Sequence, residues 1–376
     1  MKFQTRAIHS GMQTEGKNRE IVPPISVSTI YQLDPEGRKE GDLHYTRLDN
    51  PNRRQLEILL ADLEEGAEAA AFSSGVAAAA AVFQALDPGD HIILPEDIYA
   101  GNRKLVENIM LRWGLEADFI TMNDPSDVEA AIRENTSLIW IETPSNPTMQ
   151  ITDIRSVCRN AADRKILTAV DNTWPTPVNQ LPLQLGADLV VHSTTKYFGG
   201  HSDILGGAVI ARESDDRFGR IRINQRLGGA VPSPHDCWLL SRSIRTLACR
   251  MKEHNRHAAI VAEYLTQEPA VEKVIYPGLE SHPGHQVAKK QMMGFGGMVS
   301  FLIRGGSREA IEVVGRSKLI NRATSLGGVE STWEHRRSSE GEGSRTPENL
   351  IRISVGLEHP DDLVDDIRAS LKPLTD

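Results

Sequence analysis

Lys196 sits in VVHSTTKYFGGHSD, residues 190–203, directly after an apolar run and a Ser-Thr-Thr cluster. Lysine is costly to bury and a poor way to end a strand, so this position implies a use for the amine. A neutral lysine amine attacks carbonyls and carries protons. Two other apolar runs also end in polar clusters: SLIWIE leads into Thr143, Ser145 and Asn146, and ILTAV leads into Asp171, Asn172 and Thr173. DLVV, the run before Lys196, leads into His192, Ser193, Thr194 and Thr195. A fourth feature is SSGV at 73–76, small residues that open an alanine-rich helical stretch. The free N–H groups and the dipole at such an end suit a phosphate, and the hydroxyls of Ser193 and Thr195 would add donors.

These residues need a scaffold that gathers strand ends. HIILPE, ADFITM, SLIWIE, ILTAVDN and DLVVHS are short, β-branched runs separated by helical patterns such as DVEAAIRE and IRSVCRNAADR. Strands alternating with helices imply right-handed βαβ units and a mostly parallel sheet. In such a sheet the C-terminal strand ends share one edge, where ligands bind. The clusters at Asn146, Asp171 and Lys196 are therefore expected in one crevice. Before the regular pattern lie polar, Gly- and Pro-rich residues without helical period, expected to form an extended arm, residues 1–45. The α/β domain is expected over 46–230. Beyond it a long helical stretch, 233–267, leads into strand candidates VEKVIYPGL, GGMVSFLI and LIRISVGLE, a smaller C-terminal α+β domain over 231–376.

Several function classes are disfavoured. The net charge of −9 argues against a nucleic-acid partner. Cys158, Cys237 and Cys249 form no CxxC pair, which fits a reducing compartment. The N-terminal residues carry no signal-peptide pattern and no run reaches membrane-spanning length, so the expectation is a cytoplasmic protein without membrane contact. His192 and His201 lack carboxylate or cysteine companions at metal-ligand spacing, and no metal is expected. STTK is not a P-loop, because the glycines of that motif are absent. Ser193 and Lys196 match the SxxK spacing of serine acyl enzymes, but the companion SDN and KTG motifs do not occur.

A phosphate site, a lysine and a strand-end aspartate together point to pyridoxal 5'-phosphate. The lysine would hold it as a Schiff base, and the carboxylate would keep the pyridine nitrogen protonated so that the ring acts as an electron sink. The ordered stretches YTRLDNPN, FSSGVAA, DIYAGNRK, ETPSNPT, VDNTWPTP, GADLVVHSTTKYFGGHSD, RTLACRM, YPGLESHPGH, SLGGVEST and RISVGLE span nearly the whole chain. In them the sequence resembles the Cys/Met-metabolism family of pyridoxal-phosphate enzymes, which includes cystathionine γ-synthase, γ-lyase and β-lyase.

The resemblance implies pyridoxal-phosphate fold type I, aspartate-aminotransferase-like. It implies that Lys196 bears the cofactor and moves protons, that Asp171 meets the pyridine nitrogen, and that Tyr99 stacks on the ring and assists at the leaving group. It assigns the phosphate to the backbone of Gly75 and Val76 with Ser193 and Thr195, and to Tyr45 and Arg47 reaching across from a neighbouring subunit. A homo-oligomer follows: a dimer with shared sites, doubled into a tetramer. Arg352 of RIS would grip the α-carboxylate of a small amino-acid substrate, supported by Asn146 and Ser325. Arg103 lies near the family's arginine for the distal part of the substrate, in a stretch one residue shorter than the pattern YGGTNR. Thr324 stands where γ-enzymes carry Glu and bacterial β-lyases Tyr. WEHRRSSEGEGSRTPEN, 333–349, departs from the family's Thr-His pattern and is expected to be a mobile loop, with Arg336 or Arg337 as a substrate contact or merely solvated. The implied activity is γ-replacement or γ-elimination on cystathionine or an O-acylhomoserine, with β-lyase chemistry as the alternative.

Overall fold

A computed structural model describes residues 1–12, 20–38, 41–341 and 343–374. Residues 13–19 and 39–40 of the expected arm, and residue 342 of the 333–349 segment, lie outside it. Seven strands make the larger sheet: β1 Glu68–Phe72, β2 His91–Pro95, β3 Glu116–Ile120, β4 Thr136–Glu142, β5 Leu167–Asp171, β6 Leu189–His192 and β7 Gly207–Ala211. Their order is β1-β7-β6-β5-β4-β2-β3. β7 runs antiparallel to both its neighbours, while the strands from β6 to β3 pair in parallel. Strands buried on both faces must be apolar throughout rather than alternating, and β2 and β6 are buried at every residue. One face packs Phe72, Phe83 and Trp140, with the last two rings 5.1 Å apart; the other packs Ile93, Ile139, Ile141 and Val170.

β1 and β7 were not anticipated. Their small residues, EAAAF and GAVIA, carry less of the β-branched signal, yet their registry is continuous from Glu68↔Ala211 to Phe72↔Gly207. The expected extended arm also needs correction, since it begins with a helix, Phe3–His9. One short helix gives little periodicity to detect and is held by tertiary contacts: Ala7 is buried, and Arg6 donates to the carbonyl of Asp62 at 2.6 Å. Farther along, Trp238 donates to the carbonyl of Pro23 at 2.9 Å, and Asn52 brackets Pro24 and Ser26 with hydrogen bonds of 2.9 and 2.8 Å.

The smaller sheet has strands β8 Val271–Ile275, β9 Met298–Ile303, β10 Asn321–Arg322, β11 Thr332–His335 and β12 Leu350–Ser354, in the order β10-β11-β12-β9-β8. It packs Phe301, Trp333, Ile351 and Ile353 against helix residues Leu363 and Ile367. Two sequence expectations change here. The long helical stretch is two helices, Pro234–Ile244 and Leu247–Gln267. The carbonyl of Ser243, at the break, accepts from the Thr246 hydroxyl and from the Arg250 guanidinium, at 3.1 and 3.0 Å. The 333–349 segment, expected as a loop, begins instead as the end of β11 and a short helix, Arg336–Glu340. Its Trp333, Glu334, His335 and Arg336 are buried.

Candidate active site

The C-terminal ends of β4, β5 and β6 face the smaller sheet across one cleft, the arrangement expected of a parallel sheet. The cleft brings together Gly75, Val76, Tyr99, Asn146, Asp171, Ser193, Thr195, Lys196, Ser325 and Arg352, residues singled out in the sequence. Thr324 and Arg336 also line it.

Lys196 lies on a tight turn after β6. Its amide donates to the Ser193 carbonyl, and its own carbonyl accepts from the amide of Gly200 at 2.8 Å. Arg250, buried, fastens the next two residues by donating to the carbonyls of Tyr197 and Phe198 at 2.5 and 3.3 Å. The amine itself donates to the Ser325 hydroxyl at 2.5 Å. Burial, followed by the positive fields of Arg352 and Arg336, brings Lys196 down to about 8, so a substantial fraction is neutral near physiological pH.

Asp171 and Glu142 end neighbouring strands at the same registry position. Asp171 accepts from the backbone N–H of Thr173 at 3.0 Å, and Glu142 accepts from the backbone N–H of Tyr99 at 2.9 Å. Burial raises the Asp171 carboxyl. Burial and then the adjacent Asp171 raise Glu142 well above the ordinary carboxylate range. Tyr99 is 40% exposed and caps the helix Ala100–Leu105, its ring folded over Gly101. A Cβ on Gly101 would stand 2.4 Å from that ring, so glycine lets the Tyr99 ring lie close over the backbone there.

At the opposite end, Ser74 caps the helix Gly75–Phe83 by accepting from the amide of Ala77 at 3.1 Å. The amides of Gly75 and Val76 head the helix, beyond the reach of its own carbonyls. A Cβ on Gly75 would come 2.7 Å from the Cβ of Ser193, so glycine lets the helix end and the Ser193 hydroxyl converge. These donors suit a phosphate. A half-buried carboxyl at Asp171, without a cationic hydrogen-bond partner among the described residues, suits a protonated ring nitrogen. With a depressed lysine between them, the residues present fit pyridoxal phosphate.

On the small-domain side, Arg352 of β12 lies opposite Glu334 of β11 and Ser300 of β9. It donates to the side chain of Asn146 at 2.8 Å, to the carbonyl of Ser325 at 3.1 Å and to Glu334. Burial lowers its pKa to about 10 against the opposing pull of Glu334.

Tyr45, Arg47 and Arg103 are not in the cleft. Tyr45 pairs with Ile30, and Arg47 donates to the carbonyl of Arg226 at 2.5 Å. Arg103 lies over the Phe119 ring, 3.9 Å from its centroid, and bonds to Glu96 and Glu107. Asn102, Glu142 and Leu205, not singled out in the sequence, also line the cleft, as does Trp174 of DNTW, and Glu334 joins two of its arginines. Glu142 closes the SLIWIE run, and its position at a parallel strand end was a signal for it; Asn102 and Leu205 had none.

The model of the Cys/Met metabolism PLP-dependent enzyme family matches residues 4–372. Cystathionine gamma-synthase of Mycobacterium tuberculosis is 44% identical over 375 residues, covering 98% of this chain and 96% of that protein. Cystathionine beta-lyase of Lactococcus lactis subsp. cremoris is 40% identical over 380 residues, covering 98% and 99%. Among solved structures, metB from Corynebacterium glutamicum superposes with a TM-score of 0.96 at 41% identity, covering 100% of this chain and 98% of that one. A methionine gamma lyase from Micromonospora echinospora gives 0.93 at 38% identity, with 99% of each chain covered. No helix among the described residues is long and apolar enough to cross a membrane. The fold, a large mostly parallel sheet with a smaller second sheet, is that of pyridoxal-phosphate fold type I, and the chain belongs to the Cys/Met metabolism PLP-dependent enzyme family.

Proposed function

We propose that this enzyme catalyses γ-replacement or γ-elimination on cystathionine or an O-acylhomoserine, in the cytoplasm. The observation that carries the proposal is the convergence of Lys196, Asp171, Tyr99 and Arg352 on one cleft. The higher identity to the mycobacterial γ-synthase than to the β-lyases favours chemistry at Cγ. Pyridoxal phosphate, bound through Lys196 with its ring nitrogen at Asp171, supplies a sink for the electrons left when the α-proton departs. Gly75, Val76, Ser193 and Thr195 hold its phosphate, with Tyr45 and Arg47 of a neighbouring subunit completing the cradle in a dimer, doubled into a tetramer.

The chain's own residues account for the proton movements. Arg352 holds the substrate α-carboxylate with the planar donor pair that lysine lacks, and Asn146 and Ser325 fix the guanidinium. That anchorage places Cα beside Lys196, whose amine, neutral above about pH 8, takes the α-proton. Lys196 must then give that proton up before its amine, neutral again, can take one from Cβ, which prepares the bond from Cγ to its sulfur or oxygen for cleavage. The Tyr99 phenol stands on the leaving-group side. Thr324 brings neither a charge nor an aromatic wall to the rim, so a thiol acceptor meets no like charge there.

A β-lyase is the second reading, supported by Trp174 of DNTW, which lines the cleft, and by the 40% identity to a β-lyase. The test is to supply L-cystathionine and identify the keto acid by mass spectrometry. 2-Oxobutyrate supports cleavage at Cγ, and pyruvate moves the assignment to the β-lyase. With neither product, the decisive assay is turnover of an O-acylhomoserine with a thiol; failure there overturns the proposal.

A further inference from the structure

Glu64 and His192 are ionisable side chains to which the proposed reaction gives no part, and both are wholly buried. Glu64 ends the helix Pro51–Glu64, whose other buried residues include Leu56, Leu59, Leu60 and Leu63. His192 ends β6, one residue before Ser193. Nε2 of His192 meets Oε1 of Glu64 at 2.5 Å, and the same oxygen accepts from the side-chain amide of Asn172 at 2.9 Å. Oε2 of Glu64 and Nδ1 of His192 have no hydrogen-bond partner among the described residues. A buried pair satisfied on one side only is a weak source of stability, and an apolar residue of the same size often serves better. Stability therefore does not account for it.

Its geometry does, because three strand ends meet there. Successive side chains of a strand take opposite faces. Asp171 and its registry partner Val191 share one face, and the next residues, Asn172 and His192, turn to the other, where both reach Glu64. Asn172 also donates to the Gln180 carbonyl at 3.0 Å and accepts from the Gln180 side-chain amide at 3.1 Å. That amide reaches the carbonyl of Thr143, just past β4, at 3.3 Å. In the cleft, the Thr173 hydroxyl accepts from the amide of Ser193 at 2.9 Å. The ends of β5 and β6 are thus held from two sides, by Thr173 in the cleft and by Glu64 behind it. Burial raises the Asp171 carboxyl, while the Thr173 hydrogen bonds and the field of His192 pull it the other way.

We infer that Glu64 is a positioning residue for pyridoxal phosphate. Through Asn172 and His192 it sets the separation of Asp171, at the ring nitrogen, from Ser193, at the phosphate. A ligand that spans both anchors gains from their spacing, whereas a ligand held by one anchor does not. This inference rests on the cofactor roles proposed above for Asp171 and Ser193 and adds the residue that holds them in register.

The test uses the cofactor-free, full-length protein and two probes, with dissociation constants from titration calorimetry. Pyridoxine 5'-phosphate reaches both anchors but has no aldehyde for Lys196, and inorganic phosphate reaches one anchor. In Glu64→Ala the constant for pyridoxine 5'-phosphate should rise by about 30-fold while that for inorganic phosphate is unchanged. Glu64→Gln, which keeps a carbonyl acceptor for Asn172, should recover most of the affinity. Asn172→Ala should likewise weaken pyridoxine 5'-phosphate alone, and combining it with Glu64→Ala should add little, since the two act as one unit. Equal losses on both probes would overturn the inference. So would a lower melting temperature with the ratio of the two constants unmoved, which would leave Glu64 a residue that only holds the fold. If the wild type binds pyridoxine 5'-phosphate no better than a variant carrying Asp171→Asn and Ser193→Ala, the cofactor roles of those residues fail, and the inference with them. Should Glu64→Ala fail to fold, Asn172→Ala carries the same comparison of probes.

Discussion

Lys196 is tied to Arg352 through one residue, Ser325. The lysine amine donates to the Ser325 hydroxyl at 2.5 Å, and the Arg352 guanidinium donates to the Ser325 carbonyl at 3.1 Å. Ser325 holds this bridge with φ +80°, in the left-handed region that costs a non-glycine residue about 1 kcal/mol or more. The strain is offset by contacts of the two residues that follow: the amide of Gly327 donates to the Ser354 hydroxyl at 2.9 Å, and Leu326 is buried.

Ser325→Ala and Ser325→Gly separate the two roles of this residue. Ser325→Ala keeps the strained backbone and removes the hydroxyl, so kcat should fall by about tenfold with little change in melting temperature. Ser325→Gly removes the hydroxyl and the strain together, so it should match the alanine variant in kcat but melt at a higher temperature. Equal melting temperatures would mean that the backbone at 325 stores no appreciable strain.

Arg352→Ala should raise KM for an amino-acid substrate by about 10- to 100-fold, the worth of a charged hydrogen bond. Arg352→Lys should rescue little, because one ammonium cannot meet Asn146, the Ser325 carbonyl and Glu334 and still present a planar pair of donors. Steady-state kinetics decide it. An unchanged KM in Arg352→Ala would remove this residue from the substrate.

The parts of the site that follow one geometric rule were legible in the sequence. Asn146, Asp171 and Lys196 each follow a short apolar run, and parallel strands bring such ends together whatever the loops do. Arg352 had no such signal, since an arginine inside a strand reads as an ordinary ion-pair partner; it took the resemblance of RISVGLE to single it out. Glu334 and Arg336 were harder. WEHRRSSEGEGSRTPEN has the composition of a solvated loop, and composition does not distinguish charges that meet water from charges that neutralise each other when buried. The pairing of Glu334 with Arg352 depends on strand registry between residues 18 apart in the chain, which no local pattern records. β1 and β7 escaped for a related reason: small residues pack well in a covered sheet but carry weak strand propensity of their own.

Lys196→Ala should abolish turnover and leave pyridoxal phosphate bound only non-covalently, removable by dialysis and without the absorption band of the lysine-linked cofactor. In the wild type, the rate at which cofactor-free protein takes up pyridoxal phosphate covalently should rise with pH through about 8, as the amine loses its proton. Arg336→Gln removes one of the charges that depress Lys196, so the midpoint should move to higher pH. Stopped-flow absorbance across pH measures both. A midpoint unmoved in Arg336→Gln would show that burial and Arg352 alone set the amine.

Glu142→Gln should stabilise the cofactor-free protein, and more so at pH 8 than at pH 5. The folded-state pKa of Glu142 is raised, first by burial and then by Asp171, above the value of about 4.3 for an unperturbed glutamate. The folded state therefore holds a proton that the unfolded chain releases, and folding stability falls as pH climbs from the unfolded pKa towards the folded one. Glutamine cannot ionise, so that cost disappears, and its side-chain carbonyl can still accept the N–H of Tyr99 that Glu142 accepts at 2.9 Å. At pH 5 the wild-type carboxyl is close to neutral in the fold already, and the two proteins should melt at similar temperatures. Thermal melts of both proteins at the two pH values settle the sign. If the gap is the same at both, Glu142 ionises as readily in the fold as in the unfolded chain, and the crowding of Glu142 against Asp171 is relieved by a proton held elsewhere.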